Sequence, residues 1–168
     1  MLCPVESWFA MTETEARVEI LIKDAFRDVT LGNGIGLLQG QGLDDYADSE
    51  TLAAYRSRDE QHDWSRIPVE ALCRCHSSLS FFDAEGMRFH LPAYLIADLE
   101  DTLNQDIIFH LTYFGNRIES LFDILSLPQR NAVREYLLLR LSDPEYEFES
   151  ARIEAALKAN WNPACGIT

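Results

Sequence analysis

The chain has 168 residues, 47% of them hydrophobic, which is enough for one ordinary domain to bury a core without disulfides or metal. Against 14 Lys and Arg stand 28 Asp and Glu, a formal net charge of −14 with a sequence pI near 4.5. That surplus argues against direct nucleic-acid binding, which needs cations to neutralise phosphate, and points any electrostatically steered partner towards being basic.

Four cysteines, Cys3, Cys73, Cys75 and Cys165, do not form a disulfide framework, since two lie near the termini and two are separated by one residue. A reducing compartment fits them best. No stretch approaches the roughly 18 apolar residues of a membrane helix. The start, Met1-Leu2-Cys3-Pro4-Val5-Glu6, lacks the basic end and apolar run of a signal peptide. The expected location is therefore cytoplasmic, with no membrane partner. Residues 1–12 are expected to be an extension or disordered tail, residues 13–162 a single helical domain and residues 163–168 a frayed end.

Along residues 13–29, Val18, Leu21, Ile22, Ala25, Phe26 and Val29 recur at steps of three and four, the stripe of an amphipathic helix, with Thr12 or Thr14 as its cap. Leu31-Gly32-Asn33-Gly34-Ile35-Gly36 stops that helix. The glycines of residues 32–42 do not make a dinucleotide fingerprint, because Gly34-x-Gly36-x-x-x-Gly40 has the wrong spacing and follows a helix. They read as a flexible connection into a short helix over residues 37–47.

Residues 49–66 read as a polar helix ending in a loop. Asp59, Glu60, His62 and Asp63 make the tightest cluster of potential ligands, and Asp59 and Asp63, at i and i+4, would share a helix face. Metal binding or acid-base chemistry is one use for them; a solvated ion-pair face with Arg56, Arg58 and Arg66 is the plainer one. A helix then starts around Pro68, with Val69, Leu72, Cys73 and His76 on one face. Cys73-x-Cys75-His76 has neither the spacing nor the second ligand pair of a structural zinc site, so free thiols are expected, with no metal and no other cofactor.

In Asp83-Ala84-Glu85-Gly86 the Asp stands where an Asx-turn wants it and the Gly where a positive φ is needed. With Phe81-Phe82 and Met87-Arg88-Phe89 on either side, the spacing predicts a short β-hairpin near residues 80–90. Pro92 then fits the first turn of a helix running to about Leu103. Ile107–Leu111 is apolar enough to pack, and a helical turn is expected around residues 117–124. Ser126 and Gln129 have capping-box spacing ahead of a helix with core face Val133, Tyr136, Leu137 and Leu141. Asp143-Pro144 repeats the cap-then-proline signal before a last helix that buries Ile153, Ala156, Leu157 and Trp161. The expected fold class is mainly α, a single compact helical domain of about five to seven helices with one short β-hairpin.

Four blocks carry a resemblance: Asp59-Glu60-x-x-Asp63-Trp64-x-x-Ile67-Pro68, the run from Leu79 to Tyr94, Gln129-x-x-Ala132-Val133, and Ala156-Leu157-x-x-x-Trp161. Together they resemble a bacterial family catalogued only as a domain of unknown function, with the second block the most specific. The resemblance implies no catalytic motif. Its likeness to immunity-type proteins, which bind and silence a cognate toxin, is one of size, acidity and lack of machinery. The expected function is a non-enzymatic acidic binding protein, most concretely an immunity protein that occludes the active site of a basic toxin. Its partner-binding residues would be Asp59, Glu60, Asp63, Trp64, Asp83, Glu85, Arg88 and His90, with Phe82 or Trp64 as the apolar anchor. The alternative is a metal-dependent enzyme or regulator built on the Asp59, Asp63 and His90 region, in which Arg88 holds an anionic substrate and His90 acts as acid or base. A homodimer through the apolar hairpin is compatible with either.

Overall fold

The computed structural model describes residues 10–113 and 121–163, and among these no strand occurs. Among the described residues eight α-helices follow one another rather than five to seven: α1 (Glu13–Ala25), α2 (Leu37–Asp44), α3 (Ser49–Arg58), α4 (Val69–Arg74), α5 (Ala84–Leu99), α6 (Ile107–Thr112), α7 (Leu127–Ser142) and α8 (Ser150–Ala159). Short 3-10 turns lie at Trp64–Arg66, Ser78–Ser80 and Pro144–Glu149. The helical turn expected around residues 117–124 falls largely outside the described residues. No helix is long and apolar enough to cross a membrane among the described residues.

The hairpin expected near residues 80–90 is replaced by the first half of α5. Asp83 is the N-cap of that helix, its carboxylate accepting the Gly86 N–H at 2.9 Å. An Asx-turn and an N-cap use the same side-chain-to-backbone bond, so local chemistry does not separate them. Burial does. Met87, Phe89, His90, Leu91, Pro92, Ala93, Tyr94 and Leu95 are all buried, which makes α5 apolar around its circumference and erases the stripe that marks a surface helix. Pro92 sits inside α5 rather than in its first turn, so the Arg88 carbonyl loses its N–H partner. That loss costs about 3 kcal/mol, and it is tolerated because neighbouring elements hold the helix on every side.

The remaining helices are placed around α5. α1, capped by a reciprocal Thr12–Glu15 box, packs on α5 and α7. It runs antiparallel to α7: Gln129 donates to the Ala25 carbonyl at 3.3 Å at one end, and Arg140 lies 3.8 Å from Glu15 at the other. α2 packs on α3 and the Ser78–Ser80 turn, while α8 closes over α6 and α7. The capping box at Ser126 and Gln129 and the buried face of Ile153, Ala156, Leu157 and Trp161 are as the sequence predicts. In α7, however, the residue that continues the Val133–Tyr136–Leu137 stripe into the core is Arg140, with Leu141 only half-buried.

Arg140 is 4% exposed, and its guanidinium is held at the C-terminal end of α5. Nε and Nη2 donate to one carboxylate oxygen of Asp98 at 2.9 and 2.7 Å, and Nη2 also donates to the Asp98 carbonyl at 2.8 Å. The Tyr136 hydroxyl donates to the same carboxylate oxygen at 2.6 Å, and the rings of Tyr136 and Tyr146 lie against the guanidinium. Burial alone would weaken the Arg140 charge, but the Asp98 carboxylate together with Tyr136 and Tyr146 outweighs it and raises the pKa. Burial and the adjacent carboxylate push the Tyr136 hydroxyl well above its usual value, so it remains a donor. Removing one partner of a buried ion pair strands the other, so Arg140→Ala is expected to lower the unfolding free energy by about 3–5 kcal/mol, read from chemical denaturation.

Candidate functional site

The eight residues singled out in the sequence fall into two groups. Asp59, Glu60, Asp63 and Trp64 lie on the turn after α3, and Asp83, Glu85, Arg88 and His90 lie on the first half of α5 and its cap. Asp59 and Asp63 do not share a helix face, because α3 ends at Arg58 and Asp59 is its C-cap. Both groups instead converge on the glycine-rich segment between α1 and α2. Asp59, 8% exposed, accepts the N–H groups of Leu38 and Gln39 at 2.7 and 3.2 Å, which fastens the first turn of α2. Asp83 accepts the Ile35 N–H at 2.9 Å through the same oxygen that caps α5.

Close approach is what the glycines provide. A Cβ on Gly36 would stand 2.0 Å from the Asp59 carboxylate, and one on Gly34 would stand 2.5 Å from the Gly86 nitrogen. The segment is therefore a packed strap rather than the flexible connection its composition suggests.

The other residues of the first group hold the turn together. One oxygen of Glu60 accepts the N–H groups of Gln61, His62 and Asp63 at 2.9–3.1 Å, which, with burial as a smaller opposing effect, holds its carboxyl below the usual range. Asp63 caps the Trp64–Arg66 turn, and the Gln61 carbonyl accepts from Leu31 at 2.9 Å. Trp64 is buried and donates its indole N–H to the Phe26 carbonyl at 2.8 Å, past the end of α1. Burial pushes the Asp59 carboxyl up, against the two N–H bonds and the charges of Arg56 and Arg58.

In the second group, Glu85 is half-buried against Gly32, and Arg88 is half-buried with its Nε enclosed and unpartnered. His90 is fully buried. Its ring stacks on Phe82 at 4.3 Å and meets the edge of Phe89 at 5.0 Å, while Nδ1 lies 2.7 Å from the Gly86 carbonyl. That carbonyl can only accept, so Nδ1 carries the proton and Nε2 is a lone pair without a partner. Burial, helped by the Arg56 charge and opposed by the Gly86 bond and Asp83, lowers the His90 pKa to about 4. Phe82 is likewise fully buried, so neither proposed anchor, Phe82 nor Trp64, stands on the surface.

Two grooves lie beside these elements. One of about 370 Å³ runs between Lys23, Trp64, Ile67, Val69, Ala93, Ile96 and Glu100. A second, open and polar, of about 610 Å³, is lined by Asn33, Gln39, Ser49, Arg56, Ser57 and Gln61 among others. Of the eight residues, Trp64 alone borders either groove. Among the described residues no group of three or more His, Cys, Asp or Glu is placed to hold a metal ion; Cys75 is buried and Cys73 half-buried, both as free thiols. Sequence reasoning missed Asp98 and Arg140, and placed Tyr136 on the core face without its partner. Its available signal was an arginine at i+7 on the apolar stripe of α7, a position that demands a buried anion.

The chain belongs to the family of unknown function DUF6714, whose model matches residues 14–164. No curated protein and no solved structure matches it.

The strap contact is expected to behave as one unit. Asp59→Ala leaves two helix N–H groups without their acceptor and is expected to cost about 1–3 kcal/mol. Gly36→Ala forces the same contact apart, so the double variant should lose clearly less than the two single losses added, by denaturant titration. For His90 the folded-state pKa lies below the unfolded one. Its stabilising contribution is therefore complete above pH 6.5 and is lost as pH falls towards 4. Over that window wild type is expected to lose about 3 kcal/mol more than His90→Phe, measured by urea unfolding at several pH values.

Proposed function

We propose that this chain is a non-enzymatic acidic binding protein, most concretely an immunity protein that binds and neutralises a cognate basic toxin. The observation that carries the reading is the sign of the surface, which keeps the two-to-one excess of carboxylates in the sequence. Arg56, Arg130, Arg134 and Arg140 are turned inwards onto the carbonyls of Gly32, Phe122, Trp161 and Asp98. Outside, exposed carboxylates such as Glu13, Asp28, Asp45, Glu50, Glu70, Asp101 and Glu147 are about twice as numerous, among the described residues, as exposed cations. A surface of that sign accelerates encounter with a cationic partner and repels anionic ones.

The geometry redirects the residues that would do the binding. Asp59, Asp83, Trp64 and His90 are occupied inside the fold, so a partner would meet the exposed carboxylates instead. The metal-dependent alternative gains no specific support, since His90 sits in the core on the Gly86 carbonyl and Asp59 is occupied by α2.

Co-expression with the product of the adjacent gene tests the reading. Stable co-purification is expected, with an association rate that falls steeply as salt rises. If that protein does not bind, and deletion of this gene leaves cells unharmed by it, the immunity reading is wrong.

A further inference from the structure

The open groove of about 610 Å³ beside α3 has one charged residue on its walls, and in a chain of net charge −14 that residue is a cation, Arg56. Ser49, Ala53, Arg56 and Ser57 follow at helical steps and turn one face of α3 to the groove. The facing wall is Asn33 of the strap, Gln39 of α2 and Gln61. The Arg56 guanidinium crosses between the walls, where Nη2 donates at 2.8 Å to the carbonyl of Gly32, the residue before Asn33.

That carbonyl is the one acceptor Arg56 has among the described residues, and its Nη1 is enclosed without a partner. Asp59 is near enough for the two charges to be felt, but its oxygens are taken by the N–H groups of Leu38 and Gln39. A half-buried guanidinium met by a single neutral carbonyl is short of acceptors, and its fork of N–H groups fits the two oxygens of a carboxylate. Neutral hydrogen-bonding groups stand around it. The Gln39 side-chain carbonyl accepts the Gly36 N–H at 3.2 Å, which leaves its amide N–H groups over. The Gln61 amide donates to the Arg56 carbonyl at 3.0 Å, which leaves its own carbonyl over. The side chains of Asn33 and Ser49 are exposed and bond nothing among the described residues. Both walls are set by the packed strap and by Asp59, so little ordering remains for a ligand to impose.

We propose that this groove is a binding site for a small hydroxylated carboxylate, a sugar acid, with its carboxylate on Arg56 and its hydroxyls on Asn33, Gln39, Ser49 and Gln61. One cation matches one carboxylate, and the wall holds no second cation for a phosphate dianion. Amides and hydroxyls match the hydroxyls of the ligand, and the volume is that of a small-molecule site. The site goes beyond the acidic-partner reading and does not depend on it.

Titration of the isotope-labelled full chain with D-glucuronate, followed by NMR, tests the groove. Saturable shifts are expected at the amides of residues 32–34, 56, 57 and 61, with a dissociation constant of about 1 mM, the scale a ligand of this size reaches. D-Glucose and inorganic phosphate should each bind about tenfold more weakly or not at all. Arg56→Gln should weaken glucuronate binding about tenfold or more. Because Arg56 also holds Gly32, Ala53→Glu is the second variant: Ala53 is exposed, glutamate suits a helix, and a carboxylate one turn before Arg56 takes the guanidinium and repels the ligand. It should abolish binding and leave the amide shifts of α5 unchanged. The proposal is overturned if glucuronate gives no saturable shifts at the groove, if glucose or phosphate binds as tightly, or if Ala53→Glu binds glucuronate as wild type does.

Discussion

Helix α5 is enclosed by other elements along nearly its whole length, and a helix with no wet face has to satisfy its polar groups at its ends. At the N-terminal end Asp83 caps the first turn and holds Ile35 with the same oxygen. At the C-terminal end Asp98 takes the Arg140 guanidinium and the Tyr136 hydroxyl, while Arg140 reaches back to the Asp98 carbonyl. Between them the fully buried residues are apolar or, like His90, neutral because they are buried, and the charged Glu85 and Arg88 are only half-buried near the N-terminal end. The other helices are arranged so that these two ends are met: α7 supplies the cation, α1 lies along both, and the strap between α1 and α2 crosses the N-terminus.

A charge as deeply buried as Arg140 is a liability unless all its donors are placed, and here the placement ties three helices together. The half-buried Arg56, Arg130 and Arg134 are likewise turned towards backbone carbonyls; Arg130 bonds the carbonyls of Phe122 and Asn160, the latter just past the end of α8. The acidic surface follows from composition, since carboxylates outnumber cations about two to one outside, among the described residues, as they do in the whole sequence, and the proposed basic partner follows from that surface.

Much of the helical layout was legible in the sequence, because α1, α7 and α8 each lay one apolar stripe on the core and α1 and α7 start at recognisable capping boxes, whereas the Asp143-Pro144 signal caps the 3-10 turn ahead of α8. What was not legible was α5. Met87-Arg88-Phe89-His90-Leu91 alternates apolar and polar residues as a strand does, and Leu91 to Leu95 is apolar without a break, so no period of 3.6 stands out, and Asp83 and Gly86 suit a turn as well as a cap. The candidate site was legible as a set of residues and misleading as a surface. Asp59, Asp63, Asp83 and Trp64 attract notice because they combine charge or aromaticity with turn chemistry, and that combination is also what a chain needs to fasten its own loops. Arg140 was overlooked because Leu141 next to it also fits the apolar stripe, and nothing local points to its partner Asp98, forty-two residues away.

The enclosed helix beginning at Asp83 can be read directly by NMR on the isotope-labelled protein. Carbon chemical shifts for residues 84–99 should be helical without interruption, and the amides from Gly86 to Leu95, apart from Pro92, should be among the slowest to exchange with solvent. Extended shifts on both sides of Asp83–Gly86, or exchange from Met87 to Leu91 as fast as in a surface loop, would contradict the account at its centre.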